Sequence, residues 1–122
     1  MLRGDLYTLE DFACGDGSAT ATLLLNSTHP IFKGHYPGQP VLPGACILQI
    51  VKEVLSSVIE SEVLLVIANN LKFLLMIDPG LMPALAFKLT YQEVDEQFLK
   101  VTASLHFDEK ACFKFQGSFR KF

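Results

Sequence analysis

Residues 29–53, HPIFKGHYPGQPVLPGACILQIVKE, constrain this chain more than any other stretch. They hold Pro30, Pro37, Pro40 and Pro43, the glycines Gly34, Gly38 and Gly44, and two histidines, before turning apolar. Proline fixes φ, lacks an N–H and pushes the preceding residue toward extended geometry. The run can therefore be neither helix nor the middle of a sheet. It reads as a stiff loop over residues 28–43 that holds His35 in place and feeds a helix beginning at Gly44. A rigid loop that delivers a titratable group to the start of a buried helix is the layout of an active site.

The rest of the chain supplies one core around that feature. Its 122 residues form a single domain, 1–122, in which half the residues are hydrophobic, ten are Phe and 19% are charged, which excludes a disordered chain. A net charge of −3 with no basic block argues against nucleic-acid binding. Cys14, Cys46 and Cys112 are odd in number and far apart, as expected of reduced thiols rather than disulfides or zinc ligands. With no signal-peptide run and no apolar stretch of membrane-spanning length, the expectation is a soluble cytoplasmic domain.

Around the Gly15-Asp16-Gly17 turn, Asp5–Cys14 and Ala19–Leu25 form a candidate hairpin. In the helix, Gly44 to about Ile59, the polar residues Gln49, Lys52, Glu53, Ser56 and Ser57 occupy an arc of roughly 140° and apolar residues the remainder. Val63–Ala68 is a strand that Leu71–Ile77 extends beyond an irregularity at Asn69-Asn70, and Asp78-Pro79-Gly80 is a turn. Pro83–Glu93, Gln97–Phe107 and Ala111–Phe119 read as an antiparallel meander with polar turns between them. The class is α+β: one long helix with a sheet of five or six antiparallel strands.

The segment Gly34-His35-Tyr36-Pro37-Gly38-Gln39-Pro40-Val41-Leu42-Pro43-Gly44 closely resembles the G-H-F-P-x-x-P-[IV]-[ML]-P-G signature of β-hydroxyacyl-acyl-carrier-protein dehydratases. Strand order, Pro30-Ile31-Phe32 and the Asp78-Pro79-Gly80 turn are also similar. The resemblance implies the hotdog fold, a curved antiparallel sheet wrapped around one central helix. It further implies a homodimer or higher homo-oligomer, joined through the sheets, with composite sites at the interface. Its substrate would be an acyl thioester on acyl carrier protein or coenzyme A, in an apolar tunnel, with no metal and no cofactor. His35 would be the general base at the α-carbon, a task suited to neutral imidazole. The amides of Gly44 and Ala45 would polarise the thioester oxygen with help from the helix dipole.

One position departs from the pattern. Fourteen residues after His35, where such enzymes carry a carboxylate from the other protomer, this chain has Gln49. An amide donates and accepts hydrogen bonds but does not shuttle protons near neutral pH, and losing a general acid costs about 10²–10⁴-fold in rate. Three remedies stay open: Gln49 orients a water, Glu53 one turn further reaches the site, or His35 makes both proton transfers.

Each of these residues also has a plainer role. His35 could cap or pack, Gln49 could be solvated or at an interface, and Glu53 reads first as a surface or interface carboxylate. His29 is expected only to shape the loop, and His106 to be structural. Phe73, Leu74, Leu75, Phe87, Phe113 and Phe115 are expected in the core, with the lining of a tunnel as the alternative role for some of them. Tyr36 replaces the usual Phe and adds a hydroxyl. Lys33, Lys72, Arg120 and Lys121 read first, for the most part, as scattered surface charge; they are also candidates for a basic rim facing an acidic carrier protein, Lys33 foremost. The leading expectation is a carrier-linked 3-hydroxyacyl dehydratase. The alternatives are a non-catalytic acyl-binding or partner subunit and an acyl thioesterase.

Overall fold

A computed structural model describes residues 1–33 and 40–122. Six strands form one antiparallel sheet: β1 (Tyr7–Gly15), β2 (Ser18–Leu25), β3 (Val63–Phe73), β4 (Ala84–Glu93), β5 (Phe98–Phe107) and β6 (Lys110–Lys121). Among the described residues a single α-helix, α1 (Gly44–Ile59), lies between β2 and β3 in the chain, after a 3₁₀ turn at Pro30–Phe32. The strand order is β1-β2-β4-β5-β6-β3. Because β2 pairs with β4 while β3 is the far edge, the β2–β3 connection must cross β4, β5 and β6. It does so with α1 against the inner face, as the hotdog arrangement requires.

Local sequence explains most of these elements. In β2, Ala19, Ala21, Leu23 and Leu25 are buried and the residues between them face outward, the period-two signature of a one-sided sheet. Gly17 turns the β1–β2 hairpin at φ +76°, and Asp11 at φ 51° marks a bulge that shifts register between Glu10 and Ala13. The expected hairpin, helix and β4–β5–β6 meander are all present. The expected extension of β3 through Ile77 is not. The strand ends at Phe73, and Leu74 and Leu75 instead donate their amides to the carbonyl of Cys112.

The helix begins where Pro43, extended at φ −64° and ψ 145°, needs no N–H, and it ends on Glu60 in the left-handed region. Ile47, Ile50, Val51, Val54 and Leu55 bury one broad face among Leu23, Leu85, Phe87, Leu89, Leu99, Val101, Leu105, Phe113 and Phe119 of the sheet. At the far edge, β3 lies close over Gly117 of β6. A Cβ there would collide with the Ile67 carbonyl and, at 2.6 Å, with the Phe115 ring. Gly117 thus admits the irregularity of β3, whose register shifts on either side of that contact, at Leu65/Ile67 and Ala68/Asn70.

Phe87, Phe113 and Phe115 are core, as expected, but Phe73, Leu74 and Leu75 are not. They are 52%, 48% and 40% exposed, and with Leu64, Val66, Ile67 and Met76 they make edge strand β3 and its exit an apolar surface. The reason is topological: β3 is the last strand of the sheet, and the helix leaves part of it uncovered.

Candidate functional site

Two recesses flank α1. The first lies at its N-terminus, a cleft of about 380 Å³ between Val41–Gly44 with Ile47 on one side and Phe73–Ile77 on the other. The Leu42 amide donates to the Ile77 carbonyl across 2.8 Å and ties the two walls together. Pro43, the residue before the helix, offers no side-chain cap. Cys46 and Ile47 donate to the Pro43 carbonyl, while among the described residues no acceptor meets the amides of Gly44 and Ala45. Such amides, with the dipole behind them, attract a partially negative oxygen. Phe73 stands over this turn: a Cβ on residue 44 would lie 2.7 Å from its Cζ. Its ring also leans on Phe113, with centroids 5.5 Å apart.

The second recess, about 390 Å³, opens farther along the helix and is lined by Arg3, Gln49, Lys52, Glu53, Ser56 and Phe122 among others. Glu53 is expected as a surface or interface carboxylate, and here the structure corrects the surface alternative. It is 6% exposed, the one buried charged residue among those described. Its Oε1 accepts from the Arg3 amide at 2.9 Å and from the Tyr7 hydroxyl at 3.0 Å. Its Oε2 accepts from the Leu2 amide at 2.9 Å and from Gln49 Nε2 at 2.9 Å. Burial pushes this carboxyl up. The Leu2 amide, the Gln49 amide, the Arg3 amide and the Tyr7 hydroxyl together outweigh that and hold it below the ordinary Glu range. The Tyr7 hydroxyl is pushed well up, first by burial and then by the carboxylate beside it.

This clasp fixes Gln49. Its NH₂ group must point at the carboxylate, so the carbonyl Oε1 is left as an acceptor directed elsewhere. Gly44 and Gln49 are five residues apart, roughly 140° around the helix, and the linings of the two recesses share no residue. Within one chain, Gly44 at the helix start and the Gln49 side chain therefore open on different spaces.

His35 and Tyr36 lie outside the described residues. Lys33 is exposed at the end of the 3₁₀ turn, where its amide donates to the Pro30 carbonyl. His29 shapes the loop start as expected: Nδ1 accepts from the Ile31 amide at 3.0 Å and Nε2 donates to Asp5 Oδ2 at 3.1 Å. Tyr7, Leu2 and Arg3 were missed by sequence reasoning. Nothing local marks them, since their partner is 46 to 51 positions away.

The family model "ApeI-like: ApeI dehydratase" matches residues 12–114. The chain belongs to the ApeI-like dehydratase family. No curated protein matches the sequence. Among solved structures, the dehydratase heterocomplex ApeI:P from Xenorhabdus doucetiae is 19% identical, with a TM-score of 0.74 over 93% of this chain and 97% of that one. A mutant of thioesterase PA1618 from Pseudomonas aeruginosa is 15% identical, with a TM-score of 0.65 over 94% and 80%. An HP0420-homologue from Helicobacter felis is 14% identical, with a TM-score of 0.67 over 93% and 77%. At these identities the neighbours establish the hotdog fold that this ApeI-like chain shares with them. Among the described residues no helix is long and apolar enough to cross a membrane, and no cluster of metal-ligating side chains is present.

Proposed function

We propose that this ApeI-like chain forms a dehydratase site for 3-hydroxyacyl thioesters carried on acyl carrier protein, completed by a second copy across edge strand β3. The observation that carries the reading is the apolar cleft ending on the first turn of α1, which among the described residues no side chain caps. There the amides of Gly44 and Ala45 are available to a thioester oxygen, and Leu42, Ile47 and Ile77 offer an acyl chain a wall.

The chemistry divides between residues as follows. His35 removes the α-proton, and charge developing on the thioester oxygen is met by the Gly44 and Ala45 amides. The Gln49 carbonyl, aimed by the Glu53 clasp, accepts a hydrogen bond from the β-hydroxyl and orients it for departure. Glu53 does not serve as the acid, because hydrogen bonds occupy both its oxygens and keep it ionised. The proton that leaves with the hydroxyl is therefore the one His35 took from the α-carbon, returned to the leaving oxygen as water departs. Since Gly44 and Gln49 face different recesses in one chain, the working site draws the helix start and Gln49 from different protomers.

The test is dehydration of a 3-hydroxyacyl thioester, followed as conjugated enoyl thioester by ultraviolet absorbance. Enoyl product from the native protein, abolished in His35→Ala, is expected. Free acid and thiol instead would assign a thioesterase. A second reading, a non-catalytic subunit that completes the site of an active homologue, is favoured by the absence of an acid at Gln49 and by the heteromeric assembly named for the Xenorhabdus dehydratase. Turnover that appears only on mixing with such a homologue would select it.

A further inference from the structure

The outward face of the sheet carries a charge pattern that the chain's overall charge of −3 conceals. Lys88 lies between buried Phe87 and Leu89, Lys100 between Leu99 and Val101, Lys114 between Phe113 and Phe115, and Arg120 next to Phe119, so all four point away from the core. Strand pairing adds Lys72, directly opposite Lys114. Half of the chain's ten Lys and Arg residues thus share one face, all exposed. No carboxylate stands on that face along β2, β4, β5, β6 or β3; Glu10 on the distant edge strand β1 is the nearest such position. Among the described residues none of the five makes an ion pair, the two pairs found being His29–Asp5 and Lys121–Glu93.

The pattern has a cost. Like charges directly opposite in a sheet repel, as Lys72 and Lys114 do, and Lys88 stands two strands from Lys114 across Ser104, roughly 10 Å away. Around Lys72, Lys88 and Lys114 the face is hydrogen-bonding rather than greasy: Thr90, Thr102, Ser104, Gln116 and Asn70 line two adjoining shallow concavities. Lys72 and Lys114 also neighbour Phe73 and Phe113 in sequence, at the end of the sheet where the α1 cleft opens.

From this we infer that the outer sheet face, with Lys72, Lys88 and Lys114 at its centre, is the docking surface for an acidic protein, the carrier that presents the acyl thioester to the cleft. The partner's identity rests on the carrier-linked reading above; the surface does not. A second copy of this chain would set lysine against lysine. A bilayer or single-stranded nucleic acid would need apolar or aromatic side chains to insert or stack; the outward neighbours of Lys72, Lys88 and Lys114 are Asn70, Thr90, Ser104, His106 and Gln116, and the exposed apolar residues of this face, Leu64 and Ile67, lie away from them toward Arg120. Extended polyanions also meet carboxylates at both strand ends, Asp95 and Glu96 in the β4–β5 turn and Asp108 and Glu109 in the β5–β6 turn. A compact acidic surface avoids them. The basic rim anticipated from sequence is thus re-drawn: Lys72 and Arg120 belong to it, Lys121 is paired with Glu93, and Lys88, Lys100 and Lys114 join it.

The experiment titrates apo acyl carrier protein into the native protein and into Lys72→Glu/Lys114→Glu, with circular dichroism confirming the fold of both. Binding that weakens about tenfold in the variant, and weakens in the native protein as salt rises, is expected. The variant should also lose carrier-linked turnover through KM while keeping native turnover of a pantetheine-sized thioester. Equal carrier affinity in both proteins overturns the inference, as does tighter lysine-dependent binding to phosphatidylglycerol vesicles or to a single-stranded oligonucleotide. Lysine-dependent carrier binding by a protein that dehydrates neither substrate keeps the docking surface and removes the dehydratase reading instead.

Discussion

Gln49 donates through Nε2 to Glu53 Oε2 across 2.9 Å, one helical turn apart. The acceptor is ionised and buried, so the donor has no freedom to invert its amide. The Gln49 carbonyl oxygen is thereby a fixed hydrogen-bond acceptor, and exchanging the pair probes both its chemistry and its cost.

Gln49→Glu sets two carboxylates side by side. Repulsion from Glu53 raises the pKa of the new carboxyl and favours its acidic form, so dehydration should accelerate by about 10²-fold or more. Stability at neutral pH should fall by about 1–3 kcal/mol as the donor is lost. The double exchange Gln49→Glu/Glu53→Gln restores a donor facing an acceptor and should recover part of that loss. Enoyl absorbance and urea midpoints measure the two effects, and an unchanged rate in Gln49→Glu would remove position 49 from the site.

Glu53 anchors the N-terminal segment. Glu53→Ala leaves the Leu2 and Arg3 amides, the Tyr7 hydroxyl and the Gln49 amide without their acceptor, and should cost about 2–4 kcal/mol by chemical denaturation. Tyr7→Phe removes one of those bonds and should cost about 1 kcal/mol.

The same carboxylate sets a pH dependence. Its folded-state pKa is depressed, so its contribution is complete above the unfolded value, about 4.3. That contribution is lost as pH falls through the lower folded value. The denaturation midpoint of the native protein should drop over that acid range, and Glu53→Gln should flatten this part of the profile.

Gly117 tolerates nothing larger. An added methyl meets the backbone carbonyl of Ile67 and the Phe115 ring, so Gly117→Ala should destabilise by about 2–3 kcal/mol. Gly44→Ala meets only the tip of half-exposed Phe73, which can swing away, and it gains helix propensity; its cost should stay below about 1 kcal/mol. Thermal melts of the two variants compare a rigid neighbour with a yielding one.

Edge strand β3 exposes Leu64 and Ile67 on its outward side and Leu71 on its inward side, and its open edge is one that pairing with a second copy would cover. Ile67→Lys should lower the molar mass measured by light scattering while leaving circular dichroism unchanged. It should also abolish turnover, because Gly44 and Gln49 of one chain open on separate recesses.

Much of this was legible in the chain. Pro40 and Pro43 end one conformation, Gly44 opens the next, and the apolar period of residues 44–59 sets the helix to its last residue. Alternation in β2 and the short polar turns at Asp95-Glu96 and Asp108-Glu109 define the strands, since these are local preferences of backbone and side chain. Position along the chain could not say which polar residue of the helix is enclosed. Glu53 shares its arc with Lys52 and Ser56, and only the return of Leu2, Arg3 and Tyr7 from some fifty residues away encloses it. Nor could it say that Phe73 lies bare while Phe113 beside it is buried, because that depends on which strand ends the sheet. Lys72, Lys88, Lys100 and Lys114 are scattered in sequence and gathered by strand register alone. The sequence determined the elements and the motif, through interactions that reach a few residues. The fold decided which charges are buried and which converge, because burial and pairing arise from contacts that segments form only once the sheet has closed around the helix.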